Sequence, residues 1–283
     1  MNVLVTGAAG QLGQDLMDEL TRRGWNAVGI DREQADITDR EQTERIIAQN
    51  RPDAVIHTAA YTAVDQAETD REHCYAINVT GTENVARACA ACGAAMVYIS
   101  TDYVFPGTGK DYYDTGAEKH PINYYGETKS LGEDAAARHT DKLFVVRTSW
   151  AFGARGHNFV KTMVRLGAER DTLSVVADQI GSPTYTRDLS RLLADMVATD
   201  RYGVYHATNE GVCSWYEFAC AIMETFGLSC DVRPVTSAEY PTAATRPLNS
   251  RLCKDCLDRN GFARLPDWRD ALSRYAAEIR ALG

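Results

Sequence analysis

The first half of the chain alternates short apolar runs with stretches whose apolar positions recur every three to four residues. Val3-Leu4-Val5, Ala27-Val28-Gly29-Ile30, Ala54-Val55-Ile56-His57, Met96-Val97-Tyr98-Ile99 and Leu143-Phe144-Val145-Val146 are such runs, with almost no polar alternation. Strands buried on both faces read this way. Helical periodicity fills residues 11–23, 39–49 and 71–92, with Asp39 near an N-cap, and a further helix carries Tyr125 and Lys129. Strands alternating with helices predict an α/β protein, a Rossmann-like doubly wound parallel sheet.

After Trp150 the rhythm loosens. Helices near 159–166, 186–198 and 215–226 are separated by short strands at 173–176 and 204–206, and 234–249 reads as loop. Residues 1–150 are therefore expected to form an NAD(P)-binding Rossmann domain. Residues 151–283 are expected to form mainly a smaller C-terminal substrate lobe, with segments returning to the first domain.

Composition narrows the function. The chain has 283 residues, 45% apolar and 24% charged, with a formal net charge of −9. An acidic chain without a basic stripe repels nucleic acid, so no nucleic-acid partner is expected. No run of about 20 apolar residues offers a membrane span. The start, Asn2-Val3-Leu4-Val5-Thr6, lacks the pattern of a secretory signal. A cytoplasmic protein is expected. Of eight cysteines, Cys89/Cys92 and Cys253/Cys256 have C-x-x-C spacing. The pairs lie far apart, and free thiols are expected rather than a structural metal.

The chemistry concentrates in two motifs. Gly7, Gly10 and Gly13 lie between the first strand and the first helix. Glycine allows a tight turn and close approach of backbone to a pyrophosphate, which the helix N-terminus then meets with free N–H groups. Asp31 closes the second strand and can accept from ribose hydroxyls, while Arg32 can meet a 2′-phosphate. NADPH and NADH both stay open. Asp36-Ile37 can hold an adenine, although Asp36 is equally suited to capping a helix. The small residues of Ala59-Ala60-Tyr61-Thr62 let a cofactor pass, with Tyr61 as packing the alternative.

The second motif is Tyr125-Gly126-Glu127-Thr128-Lys129, preceded by Ser100-Thr101-Asp102. Residues four apart share a helix face, so Tyr125 and Lys129 can enter one cleft. A fixed ammonium is expected to lower the phenol's pKa toward the working range.

Together these residues resemble the extended short-chain dehydrogenase/reductase superfamily, and within it the reductases of 4-keto nucleotide sugars. The resemblance spans nearly the whole chain. It is carried by 59–68 (AAYTAVDQAE), 100–105 (STDYVF) and 178–184 (DQIGSPT), and also by 203–206 and 246–250. It implies NAD(P)H-dependent reduction of the C4 ketone of dTDP-4-dehydro-L-rhamnose to dTDP-L-rhamnose. By position, Tyr125 matches the proton donor. Lys129 matches the residue that binds nicotinamide ribose and tunes the tyrosine. Thr101 matches the hydroxyl that bonds the substrate oxygen. Thr101, Asp102 and Trp150 match sugar-side contacts. Gly10, Gln11 and Leu12 match the phosphate turn, and Asp31, Asp36, Ile37, Ala60, Tyr61 and Thr62 match further cofactor contacts.

Related sugar dehydratases place Asp-Glu after the threonine, whereas here Thr101 is followed by Asp102-Tyr103. Elimination lacks its base, which favours simple reduction. Some relatives bind Mg2+ through acidic residues at a dimer interface. Gln14 and Asp15 match that set weakly, so Mg2+ stays possible without support from the sequence, and a monomer or homodimer is expected. Arg246, on a loop before Pro247, is a candidate for the substrate diphosphate, with pairing to a carboxylate as its alternative. Two other functions remain: reduction of a different nucleotide 4-keto-6-deoxy sugar, and a non-catalytic regulatory subunit resembling that of methionine adenosyltransferase.

Overall fold

Alternate residues of each central strand turn to opposite faces, and both faces are covered. In the computed structural model, which describes residues 1–282, the elements follow in chain order. They are β1 (Asn2–Thr6), α1 (Gln11–Arg22), β2 (Asn26–Ile30), α2 (Arg40–Asn50), β3 (Ala54–His57), α3 (Val64–Ala67), α4 (Arg71–Tyr75), a π-turn (Ala76–Gly81), α5 (Thr82–Cys92), β4 (Ala95–Thr101), a 3₁₀ turn (Asp102–Val104), α6 (Tyr124–Ala137) and β5 (Leu143–Thr148). The second half continues with β6 (Ala151–Phe152), α7 (Phe159–Glu169), β7 (Thr172–Val176), β8 (Ile180–Gly181), β9 (Thr184–Tyr185), α8 (Thr186–Val197) and β10 (Gly203–His206). It ends with β11 (Asn209–Glu210), β12 (Cys213–Ser214), α9 (Trp215–Phe226), β13 (Asp231–Val235), α10 (Asp255–Arg259), β14 (Leu265–Asp267) and α11 (Trp268–Leu282).

The central sheet has six parallel strands in the order β10-β5-β4-β3-β1-β2. Val3, Val5, Ile56, Val97, Phe144 and Val146 pack on one face with Leu16 and Leu20 of α1 and Leu189 and Leu193 of α8. Leu4, Val55, Met96, Tyr98 and Val145 pack on the other with Ile47 of α2, Val85 of α5 and Ala136 of α6. The predicted doubly wound α/β sheet is present. A third core gathers Phe152, Tyr185, Phe218, Leu272 and Tyr275 in the C-terminal part of the chain.

Three details differ from the sequence reading. The helix expected over 71–92 is helical throughout, but a π-turn over 76–81 divides it into α4 and α5. The short α3 was not foreseen. The strand expected at 204–206 begins one residue earlier, at Gly203. It extends the main sheet beside β5, and α8 packs along α1. Asp39 does cap α2, accepting from the Gln42 N–H at 3.0 Å, and 236–248 carries no helix or strand. No described helix is long and apolar enough to cross a membrane.

The order of the strands places a switch point between β1 and β3, because the chain runs from β1 outward to β2 and returns on the other side. Ligands of open α/β sheets bind outside the carboxyl ends of strands at such a point. Here the two ends touch. Gly7 has φ +67°, and a Cβ on it would lie 2.8 Å from the Ala59 backbone. Gly13 packs α1 on the turn: a Cβ there would run into the Gly7 carbonyl and lie 2.7 Å from Ala8 Cα. Gly13→Ala should therefore lose about 1–2 kcal/mol. Overpacking of about 1–3 kcal/mol outweighs a helix-propensity gain of at most about 1 kcal/mol. Urea unfolding at unchanged m-value reads this loss; wild-type stability would mean that turn and helix can separate freely.

Candidate active site

The switch point opens into a cleft of about 370 Å³ lined by Thr6, Gly7, Gly10, Ile30, Asp31, Arg32, Ala35, Asp36, Ile37, Thr38, Thr58, Ala59, Ala60, His73, Ala76 and Ile77. It gathers Gly7, Gly10, Asp31, Arg32, Asp36, Ile37, Ala59 and Ala60 from the sequence reading. Asp31 accepts from the Ala9 N–H at 2.9 Å and so braces the glycine turn. Asp36 spends one oxygen on Thr38, on its N–H at 2.9 Å and its hydroxyl at 2.7 Å. Those bonds hold its carboxyl below the usual range. Its other oxygen lies 3.6 Å from Arg32, whose side chain is 79% exposed.

The remaining predicted cofactor positions stand beside this cleft. Gln11 accepts from Asn158 at 2.8 Å, linking the phosphate turn to the N-cap of α7. The Leu12 side chain packs toward the core, so only its backbone faces the turn's chemistry. Tyr61 is buried, its hydroxyl on Asp70, and Thr62 is exposed. Ala35, Thr38, His73, Ala76 and Ile77 were not foreseen. The last two sit on the π-turn, which no local residue pattern announced.

The π-turn also carries Asn78, another residue the sequence reading missed. Its carboxamide accepts from Tyr61 N–H at 2.8 Å, and donates to Tyr61 O and to Thr128 Oγ1, both at 3.1 Å. Thr128 in turn donates to the Tyr125 carbonyl at 2.8 Å. The end of β3 is thus tied to the first turn of α6.

That turn is seated by Asn123, whose side chain accepts from Gly126 N–H at 2.8 Å and donates to Thr245 O at 2.8 Å. Gly126 has no room for a side chain, since a Cβ would run into the Tyr103 carbonyl. Tyr125 is thereby pressed toward the end of β4, and its ring meets Tyr103 edge-on at 5.8 Å. Thr101 ends β4, donates to Asp102 at 3.0 Å and accepts from Tyr103 N–H at 3.2 Å. Asp102 is buried and also bonded by the Ser250 hydroxyl. Burial raises its pKa to about 6 against the pull of the Ser250 and Thr101 bonds.

The structure corrects one expectation about charge. Tyr125 is not pulled toward neutrality by a cation. Burial pushes its pKa up, Asp102 pushes it further, and only the Thr101 hydroxyl draws it down. Lys129 is itself lowered to about 7 by burial, with Glu133 opposing. The motif announced a cation but not the dry surroundings that weaken it.

The substrate-side residues have definite partners. Trp150 takes a left-handed φ of +50° just after β5 and stacks on Trp215 at 3.7 Å. Gly181 lies against its indole. Trp215 is an aromatic the sequence reading passed over. Arg246 forms two 2.7 Å bonds to the two oxygens of Asp65 and a third, of 2.8 Å, to Ala244 O. All eight cysteines are free thiols. Among the described residues no three His, Cys, Asp or Glu converge as a metal set. Asp15 accepts from Thr186, and nearby Glu278 accepts from Tyr185 and pairs with Arg187.

The chain is similar over nearly its whole length to known proteins. Residues 1–281 match the family model described as RmlD substrate binding domain. The chain is 40% identical over 276 residues to the spore coat polysaccharide biosynthesis protein SpsK of Bacillus subtilis, covering 98% of this chain and 97% of that protein. It is 40% identical over 296 residues to a dTDP-4-dehydrorhamnose reductase of Aggregatibacter actinomycetemcomitans, covering 97% and 98%. The crystal structure of dTDP-4-dehydrorhamnose reductase from Bacillus anthracis in complex with NADP superposes with a TM-score of 0.96 at 45% identity, covering 98% and 100%.

The Asp102–Ser250 bond yields a prediction. Ser250→Ala removes a donor that favours the carboxylate, so the Asp102 pKa should rise above about 6, by about one unit. Carbonyl ¹³C shifts of the ligand-free protein, assigned with Asp102→Asn, follow the titration. An unmoved midpoint would take Ser250 out of that role.

Proposed function

We infer the reaction of this chain from its kinship: it belongs to the RmlD substrate binding domain family. It is an NAD(P)H-dependent oxidoreductase that reduces the C4 ketone of dTDP-4-dehydro-L-rhamnose to dTDP-L-rhamnose. The observation that carries this reading is the pairing of Tyr125 with the Thr101 hydroxyl at the end of β4, in a chain with a glycine-lined cleft at its switch point and 45% identical to a reductase solved with NADP. The cleft suits a dinucleotide: Gly7 and Gly10 line it without side chains, and Asp31 and Arg32 line it as well. A reduced nicotinamide, when bound, supplies the hydride.

The chain's own residues supply the rest. A phenol with a raised pKa keeps its proton at neutral pH, the state a donor to a developing alkoxide requires. Thr101 shares Tyr125's pocket and can hold the same oxygen. Lys129, one helical turn on, provides positive charge on the cofactor side. Asp102 and Trp150 face the sugar. Tyr103, where a dehydratase carries its base, is a half-buried phenol whose pKa desolvation pushes well up, so it cannot serve as one. A bidentate contact of Arg246 with the diphosphate requires it to exchange Asp65 for phosphate. Residues 1–150 hold the cofactor and 151–283 most of the substrate lobe, with β10 and α8 returning to the sheet. The setting is cytoplasmic, and the active unit is a monomer or homodimer.

Tyr125→Phe should slow turnover by about 10²–10⁴-fold while NADPH titration stays near wild type. Turnover above half the wild-type value would remove Tyr125 as donor. The assay runs with dTDP-, UDP- and GDP-linked 4-keto-6-deoxy sugars. Activity confined to the UDP or GDP sugar would move the substrate and keep the chemistry, and inactivity on all three would favour a regulatory subunit.

Arg246→Ala should weaken dTDP binding by about 1.5–3 kcal/mol, the value of a charge-assisted bond. Calorimetric titration with dTDP measures it. Wild-type affinity would leave Arg246 as a strap to Asp65 alone.

A further inference from the structure

The Lys129 side chain ends against a tyrosine. Tyr98 of β4 lies three residues before Thr101, is 0% exposed, and its ring centroid is 4.1 Å from Lys129 Nζ. Its hydroxyl donates to the Lys129 carbonyl at 3.2 Å. Gly132 leaves the space for that hydroxyl, since a Cβ there would run into it and lie 2.6 Å from Asn78 O. Side chain and backbone of one lysine are thus held by one ring.

We propose that Tyr98 is the positioning residue for Lys129, its ring face the seat of the ammonium and its hydroxyl the fix on the helix that carries it. The proposal rests on Lys129 belonging to the active site. The aromatic face bears partial negative charge and attracts a cation most strongly where water is excluded.

The surroundings leave few other sources of stabilisation. On α6 itself, Glu133 stands one turn beyond Lys129. It is bound by Arg147 of β5 through two 2.8 Å bonds, by Ser100 of β4 at 2.6 Å and by Lys119 at 3.4 Å. Glu133 favours the ammonium from one turn away, while its own oxygens are held by these partners. His57 of β3 stacks near Tyr98 at 6.0 Å, and burial lowers its pKa to about 3, so it is neutral. Cys74 of α4 is a buried thiol whose pKa is pushed up, so it carries no charge either. Tyr125 keeps its proton. The Tyr98 ring is the feature in direct contact with the ammonium.

The sign of the effect follows. Burial already brings Lys129 to about 7. Removing the ring face destabilises the ammonium further, so the pKa falls, and the charged form is lost at lower pH. A cation–π contact of ordinary strength corresponds to a shift of about 0.4–1.5 pH units.

The test follows the Lys129 Cε–Hε resonance with pH in ligand-free, ¹³C-lysine-labelled protein, assigned with Lys129→Met. Tyr98→Phe keeps the face and should hold the midpoint near wild type. Tyr98→Leu should lower it by about 0.4–1.5 units, and the alkaline limb of kcat should move the same way. Replacing Tyr98 by pentafluorophenylalanine keeps the shape and removes the negative face. It should match the leucine variant, and it decides the matter if that variant does not fold. An unmoved midpoint in the face-less variants overturns the proposal, whatever their stability. A midpoint that shifts while the kcat limb stays leaves the seat intact and overturns instead the place of Lys129 in the chemistry.

Discussion

The structure around the active site is arranged so that one lysine can be buried beside a sheet. Taking an ammonium out of water costs several kcal/mol unless something replaces its hydration. Lys129 is 3% exposed. What surrounds it answers part of that cost: an aromatic face in contact, and a carboxylate one helical turn away that two further cations hold in place. The same groups give the region its geometry. Glu133 joins α6 to Ser100 of β4 and to Arg147 of β5. Arg147 reaches onward to Thr115 O at 3.0 Å and faces His206 of β10 at 3.4 Å. A buried ion pair is weak evidence for stability. Its visible consequence here is registration, because it fixes α6 against three adjacent strands.

The cofactor side depends on bare backbone instead. Gly7, Gly13 and Gly126 each stand where a side chain would collide with a neighbouring main chain. Gly7 closes the end of β1 onto the chain after β3, Gly13 closes α1 onto the turn before it, and Gly126 closes α6 onto the turn after β4. The Asn78 carboxamide then ties those two places together through Tyr61 and Thr128. Asn78 makes these bonds from within the π-turn. The π-turn supplies the extra residue, as such turns often do at functional sites.

The parts of this arrangement legible in the sequence are those with a period. Strands apolar on both faces announced the parallel sheet, and glycine spacing announced the turn at its switch point. The reach of β10 back to β5 was not legible, because Gly203–His206 is four residues long and nothing local says which sheet takes it. The π-turn was invisible because one inserted residue hardly disturbs an apolar pattern read over two turns. Tyr125, Lys129 and Thr101 stood out as residues. Their protonation did not, because spacing shows which charges are near and says nothing of the dielectric between them. Trp215 shows the same limit: its pairing with Trp150 spans 65 positions and is a fact of packing alone.

That difference in protonation bears on the direction of the chemistry. An enzyme that oxidises an alcohol needs a base, and a tyrosine serves best when its phenol ionises easily. A ketone reductase needs an acid, and a phenol that clings to its proton until an alkoxide develops meets that need. Asp102 helps keep it so, since a carboxylate beside a phenol opposes a second negative charge. With a pKa of about 6, Asp102 is itself mostly ionised at neutral pH. The dry pocket around Tyr125 and the carboxylate beside it act in the same sense: burial holds the phenol protonated, and Asp102 opposes its ionisation further.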